Sequence, residues 1–190
     1  MKKTYIAALL AASLAHADTL DVKQPAKPHD ALQLSSSDLK EGATLAHAQV
    51  ANGFGCSGEN ISPALQWKGV PKAAKTLVLT VYDPDAPTGS GFWHWAVYNI
   101  PADSDGLPAN AGASADKLPA GAITLKNDAG MNGYIGACPP PGDKPHRYIY
   151  TLYALDTALD LPVDATPAVL GFNLNGKVLA SGQLTGTYGR

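Results

Sequence analysis

Apolar residues along this chain fall into short runs separated by glycine and proline, a pattern typical of a mostly β protein. Three runs are long enough to predict full strands, at 76–82, 92–100 and 147–155. Residues 76–82 are apolar or β-branched at both odd and even positions, so we expect this strand to be buried on both faces. Many short strands favour an antiparallel sandwich or barrel. The shorter strands are predicted at 31–35, 47–50, 65–67, 123–125 and 183–188.

One helix is predicted near the C-terminus. Asp164 can cap it, and Pro167 falls in its first turn. Its second half is weakened by the Asn and Gly residues at 173–176. The apolar positions that carry the helical pattern are Val169, Leu170, Phe172, Leu174, Val178 and Leu179.

The N-terminus shows a different pattern. Two lysines are followed by an apolar run at 5–14 and then by Ala15-His16-Ala17, the order typical of a secretory signal peptide. About ten apolar residues are too few for a membrane anchor, which needs roughly twenty. We therefore predict a cleaved signal peptide at 1–17 and a periplasmic or secreted protein.

The remaining chain is predicted to form one domain. Residues 18–30 lack periodicity and contain two prolines, which indicates a flexible lead before a folded part at 31–190. Loss of the two signal-peptide lysines changes the formal charge from −2 to −4. A mildly acidic surface argues against nucleic-acid binding. No later run is apolar enough to cross a membrane.

Two cysteines, Cys56 and Cys138, lie in Gly-rich loops. In an oxidising compartment such a pair favours one disulfide, although two separate buried thiols are the alternative. The bridge would close a loop of about 80 residues and stabilise the fold by about 4 kcal/mol.

Polar residues interrupt the strong strands at their ends. Asp83 and Asp85 follow the strand at 76–82, in a turn with two prolines, either of which is a candidate for a cis peptide bond. The alternative role for these carboxylates is ordinary turn capping. His94 lies between two tryptophans, and alternation predicts it on the face opposite to both. His146 follows a Gly/Pro-rich loop at 136–142.

If these strand ends meet, they form a small polar cavity. Imidazoles and loop N–H groups would bind an anion, and an Asp would accept from an attached amine or hydroxyl. Metal binding is less favoured because the spacing lacks a tight ligand motif. A nucleophile is also lacking, since Ser90 is not in a Gly-x-Ser-x-Gly elbow and Cys138 would have to be reduced.

At these motifs the sequence resembles the phosphatidylethanolamine-binding protein family, and within it the bacterial Raf-kinase-inhibitor-like members. The resemblance runs from about residue 31 to the C-terminus. The matching segments are 60–63 with Leu65 and Trp67, 82–87, 91–95 with 99–101, 136–140 and 146–148.

The resemblance implies an antiparallel Greek-key β-sandwich with a few peripheral helices. It also implies an anion pocket that binds phosphorylated head groups, with no established catalysis and no cofactor. Both cysteines match the exported bacterial variant. The implied pocket residues are Asp83, His94, Gly136, Pro140, His146 and Tyr148, with Asp85 supporting the turn.

Two classes of function remain open at this stage. The first is an exported binding protein for a small phosphorylated or carboxylated compound, with a possible regulatory role. The second is a protein-interaction module, such as a protease inhibitor or a secreted effector, in which the pocket is partly structural. A hydrolase is third. A protein partner and a homodimer are both left open, and regulation of a cytoplasmic kinase is not expected of an exported chain.

Overall fold

A computed structural model describes residues 32–190 of the chain. The predicted signal peptide at 1–17, the lead at 18–30 and the first residue of the predicted domain lie outside the described residues. Within 32–190 no helix is both long enough and apolar enough to span a bilayer.

The structure is built on two antiparallel sheets and confirms the mostly β prediction. The small sheet has the order β1-β4-β7, from β1 (Gln33–Ser35), β4 (Leu65–Lys68) and β7 (Gly106–Leu107). A separate hairpin pairs β2 (Asn52–Gly53) with β3 (Cys56–Ser57).

The large sheet contains the three strong strands predicted from the sequence. Its strands are β5 (Thr76–Asp83), β6 (Phe92–Pro101), β8 (Ile123–Thr124), β9 (His146–Leu155) and β10 (Val178–Tyr188), in the order β10-β9-β5-β6-β8. In chain order the first three strands of this sheet, β5, β6 and β8, lie side by side, and the fourth, β9, returns to pair with β5. This is the spatial order of a Greek key.

Both faces of the large sheet are covered, which explains why β5 has buried side chains at both its odd and its even positions. One face packs against the small sheet, where Leu79 and Val81 share a core with Leu65 and Trp67. The other face packs against the segment around α1 (Pro167–Asn173). Each large apolar side chain fully buried in these layers contributes about 1.5–3 kcal/mol.

The helix is shorter than predicted and begins later. Thr166, not Asp164, is the N-cap, and its side chain accepts from the Val169 N–H at 3.3 Å. The helix ends at Asn173, so the predicted continuation was wrong. Residues 178–179 belong to β10, where they extend the predicted strand at 183–188. Val169 and Phe172 are exposed, because this short helix covers only part of the sheet.

Two smaller predictions were also wrong. Residues 47–50, predicted as a strand, contain a 3₁₀ helix at His47–Gln49, in which the Val50 N–H donates back to the His47 carbonyl. In the described chain every peptide bond is trans, including those of the Asp83 turn. That turn is held instead by the Asp83 side chain, which accepts from two backbone N–H groups.

Candidate functional site

A cavity of about 320 Å³ opens where β5, β6 and β9 meet the Gly/Pro loop at 136–142. The Greek-key order brings these strand ends together although they are far apart in sequence. Six of the residues predicted for the pocket line the cavity: Asp83, His94, Gly136, Pro140, His146 and Tyr148. The residues that sequence reasoning missed include Phe54, Ala86, Pro87, Thr88, Phe92, Asp128, Ala129 and Ile135.

Asp83 is the last residue of β5, and its carboxylate makes three hydrogen bonds within the protein. Oδ1 accepts from the N–H groups of Asp85 at 2.8 Å and Ala86 at 3.1 Å. Oδ2 lies 2.7 Å from Nδ1 of His146. Because a carboxylate accepts hydrogen bonds, we assign the Nδ1 proton to His146. Asp83 therefore fixes both the turn and the orientation of His146.

His146 is the first residue of β9 and is buried. Its other ring nitrogen, Nε2, lies 3.5 Å from Oδ2 of Asp143, an exposed residue that is not among those lining the cavity. With Nδ1 held by Asp83, Nε2 is the nitrogen that His146 can offer to a ligand.

His94 reaches the cavity because of a β-bulge. Val81 pairs with Trp95, but the next residue of β5, Tyr82, pairs with Trp93, so His94 is an extra residue in β6. Paired residues share a face, which puts Trp93 and Trp95 on opposite faces of the sheet. The predicted arrangement, with His94 opposite to both tryptophans, was therefore wrong, because strict alternation does not hold across a bulge.

The bulged His94 is held by the backbone of the neighbouring loop. Its Nδ1 lies 2.9 Å from the Ile135 carbonyl, which can only accept, so Nδ1 carries a proton and Nε2 is the free nitrogen. Burial lowers the pKa of His94 below 6.5, against the opposing effects of the Ile135 carbonyl and of Asp83. In the ligand-free protein His94 is thus neutral at pH 7.

Tyr148 completes the floor of the cavity. Its ring meets the His94 ring edge-on, with 5.0 Å between centroids. Its hydroxyl is buried and has no hydrogen-bond partner among residues 32–190. Burial raises the pKa of Tyr148, so the hydroxyl remains a proton donor at neutral pH. A buried hydroxyl without a partner is costly, which is a reason to expect a ligand there.

The loop N–H groups were predicted to bind an anion, but two of them are used within the protein. The Gly136 N–H donates to Asn60 Oδ1 at 2.8 Å, and the Gly142 N–H donates to the Arg190 carbonyl at 2.9 Å. Gly136 is required for close packing, since a Cβ there would collide with the Gln49 carbonyl. The N–H groups of these two glycines are therefore not free to bind a ligand, and the loop supplies walls, including Pro140.

The predicted disulfide is present and joins Cys56 to Cys138. It ties the β2–β3 hairpin to the Gly/Pro loop. Arg190 strengthens the same junction, because its guanidinium donates to the Pro139 carbonyl at 2.6 Å and to the Gly55 carbonyl at 2.8 Å. Among the sequence predictions, only the Cys56–Cys138 bridge could have indicated that Phe54 lies at the cavity.

Asp85 does not line the cavity. It accepts two hydrogen bonds from the Arg147 guanidinium, at 2.8 and 2.7 Å, and one from the Arg147 N–H at 2.9 Å. These hydrogen bonds lower the pKa of Asp85. Asp85 thus attaches the turn to β9 from outside the site.

A metal site and a nucleophile were the two other kinds of chemistry considered from the sequence. Within 32–190 no cluster of three His, Cys, Asp or Glu residues is arranged to hold a metal ion. Ser90 lines a different groove, of about 670 Å³, on the opposite face of the sheet. Cys138 is in the disulfide.

Comparison with known proteins gives a consistent result. The family model described as phosphatidylethanolamine-binding protein matches residues 35–189. The chain is 48% identical over 161 residues to the UPF0098 protein YbcL of Escherichia coli, covering 83% of this chain and 87% of YbcL. It is 46% identical over 158 residues to the UPF0098 protein YbhB of the same organism, covering 83% and 99%.

The fold agrees with a solved structure of the same relative. The crystal structure of E. coli YbcL, described as a member of the mammalian PEBP family, superposes with a TM-score of 0.81 and 46% identity, covering 84% of this chain and 99% of that one. The segment matched by the family model, residues 35–189, includes all the residues that line the cavity. The chain belongs to the phosphatidylethanolamine-binding protein family.

Proposed function

We propose that this protein is an exported receptor that binds a small phosphorylated or carboxylated anion in the cavity. The observation that carries the proposal is the state of three buried side chains. Tyr148, His94 and His146 each keep one polar atom that the protein does not fully use, while the rest of the side chain is held in place. Polar atoms that converge on a cavity from side chains already held in place are typical of a small-ligand site.

The chemistry favours an anion that binds together with a proton. The Tyr148 hydroxyl can donate directly, but a neutral imidazole presents a lone pair at Nε2. An anion would stabilise the imidazolium form, so each histidine could become a charge-assisted donor. The Asp83 carboxylate on the far side of His146 balances that charge at a hydrogen-bonding distance of 2.7 Å.

The proposed export rests on the N-terminal sequence, and the Cys56–Cys138 bridge is consistent with an oxidising compartment. The mass of the protein isolated from its host tests this directly. We expect a chain that starts at Asp18 and is two hydrogen atoms lighter than its reduced form. A full-length chain with two free thiols would contradict the proposal.

Calorimetry with inorganic phosphate and with phosphoethanolamine tests the binding proposal. We expect saturable heat with the wild type and at least about tenfold weaker binding by His94→Ala. No heat for either compound at millimolar concentration would overturn the proposal.

Tyr148→Phe gives a sharper test, because its hydroxyl has no partner to lose within the described protein. We expect unchanged or higher thermal stability with weaker anion binding. Tyr82→Phe is the matched control, since it removes a hydroxyl that donates to the Ser90 carbonyl outside the cavity. Equal affinity of both variants would contradict a role for Tyr148 in binding.

We further propose that the site binds without turnover. A panel of phosphate and carboxyl esters should show no hydrolysis above that of a boiled control. Turnover by the wild type that His94→Ala abolishes would make the protein a hydrolase instead.

A further inference from the structure

The walls of the cavity change character from floor to rim. The floor is polar and buried, at Asp83, His94, His146 and Tyr148. The rim is mostly apolar and partly or fully exposed, with Thr88 and Asp128 as its exposed polar members. Its apolar members are Phe54, Ala86, Pro87, Phe92, Ala129 and Pro140. At about 320 Å³ the cavity is also larger than a bare phosphate ion needs. A ligand that fills it would combine an anionic head with an apolar group.

Phe54 is the unusual member of this rim. Its side chain is 69% exposed, and it lies at the tip of the β2–β3 hairpin. Its φ is +55°, in the left-handed region that disfavours residues with a Cβ by about 1–2 kcal/mol. A large apolar side chain is thus held in water on an unfavourable backbone. The positive φ itself is what the two-residue turn of this hairpin requires, since Gly55 also has a positive φ, of +82°. Such turns favour Asn or Asp at the first position, so the exposed phenyl ring, and not the backbone, makes Phe54 a candidate for function.

The hairpin that carries Phe54 is fixed at two points. The Cys56–Cys138 bridge attaches it to the Gly/Pro loop two residues after Phe54. The Arg190 guanidinium joins the Gly55 carbonyl to the Pro139 carbonyl across the same gap. The backbone of Phe54 is therefore positioned before a ligand arrives, which reduces the entropy cost of binding.

We propose that the cavity prefers anions that carry an aromatic group, and that Phe54 is the residue that determines this preference. The inference rests on the proposed function, since the anionic head would occupy the floor. The apolar group would lie at the rim against the Phe54 ring. Burial of such a group against an aromatic ring removes apolar surface from water and favours offset or edge-on contact.

A ratio of affinities tests the preference without depending on the absolute strength of binding. Calorimetry at one pH would compare phenyl phosphate with methyl phosphate, two monoesters that differ only in the apolar group. We expect the wild type to bind phenyl phosphate about tenfold more tightly. Phe54→Ala should bring the ratio close to one while the affinity for methyl phosphate stays the same.

Phe172→Ala is the matched control, because Phe172 is 77% exposed on α1 and lines the groove on the other face of the sheet. It should keep the wild-type ratio. A wild-type ratio near one, or a ratio that Phe54→Ala leaves unchanged, would overturn the inference. Absence of binding of inorganic phosphate and phosphoethanolamine by the wild type would instead overturn the proposed function.

Discussion

At the scale of single residues, each group around the cavity has one end held by the protein. Asp83 holds His146, the Ile135 carbonyl holds His94, and the strand β9 holds Tyr148. The residue types could be predicted from the sequence, because polar residues at strand ends stand out in an apolar pattern. Their hydrogen-bond partners could not, since they depend on contacts 41 and 63 residues apart in the chain.

The lowered pKa of His94 predicts how affinity depends on pH. In the free protein the pKa lies below 6.5 because of burial, and a bound anion would raise it by stabilising the imidazolium. Affinity should therefore increase as pH falls through the pKa of the complex and level off below the pKa of the free protein. Sulfate is the suitable probe, since its charge does not change between about pH 5 and 8.

The pH series should be repeated with His94→Gln. This variant should show a weaker dependence, because it lacks the imidazole of His94. Flat sulfate affinity in the wild type would mean that both histidines bind as neutral groups.

The roles of the two aspartates can be separated by variants that differ in position only. Asp83→Asn should weaken phosphate binding by about tenfold, because an amide cannot stabilise the His146 imidazolium as a carboxylate does. Asp85→Asn should leave affinity within about twofold and cost at most about 1 kcal/mol, since its pair with Arg147 is exposed. Equal losses of affinity would contradict the assignment of Asp83 as the group that orients His146.

At the scale of elements, the strong strands could be predicted because β-branched and aromatic runs of eight to ten residues have few alternatives. The helix was predicted less well. Its apolar pattern continued to residue 179, but the turn at Gly176, with φ +75°, separates it from β10. The bulge at His94 could not be predicted from the hydrophobic pattern either, because a bulge is defined by how β6 pairs with β5.

The disulfide belongs to this scale because it joins two loops. A Cys56→Ser, Cys138→Ser double variant should lose about 4 kcal/mol of stability on the chain-entropy model, which thermal unfolding would measure. It should also bring the phenyl to methyl phosphate ratio closer to one, since the hairpin of Phe54 is then held by Arg190 alone. An unchanged ratio would show that the bridge stabilises the fold without positioning the rim.

At the scale of the whole molecule, the Greek-key order of the large sheet explains why the site exists. β9 returns beside β5 and brings His146 to Asp83, while the loop between β8 and β9 brings Ile135 to His94. The fold class could be predicted from short strands and turns together with the family resemblance. The strand order by itself could not be derived from the hydrophobic pattern, because that pattern fixes which faces are buried and not which strands are neighbours.

The central claim, that His94 and His146 together bind an anion, is tested most directly by NMR of the histidine rings. Ring nitrogens of ¹⁵N-histidine-labelled protein would be followed during titration with inorganic phosphate. We predict saturable shifts of Nε2 in His94 and His146 with one common dissociation constant. The exposed His47, which lies outside the cavity, should not follow that curve. Shifts that do not saturate, or that appear at His47 and not at the two cavity histidines, would contradict the account.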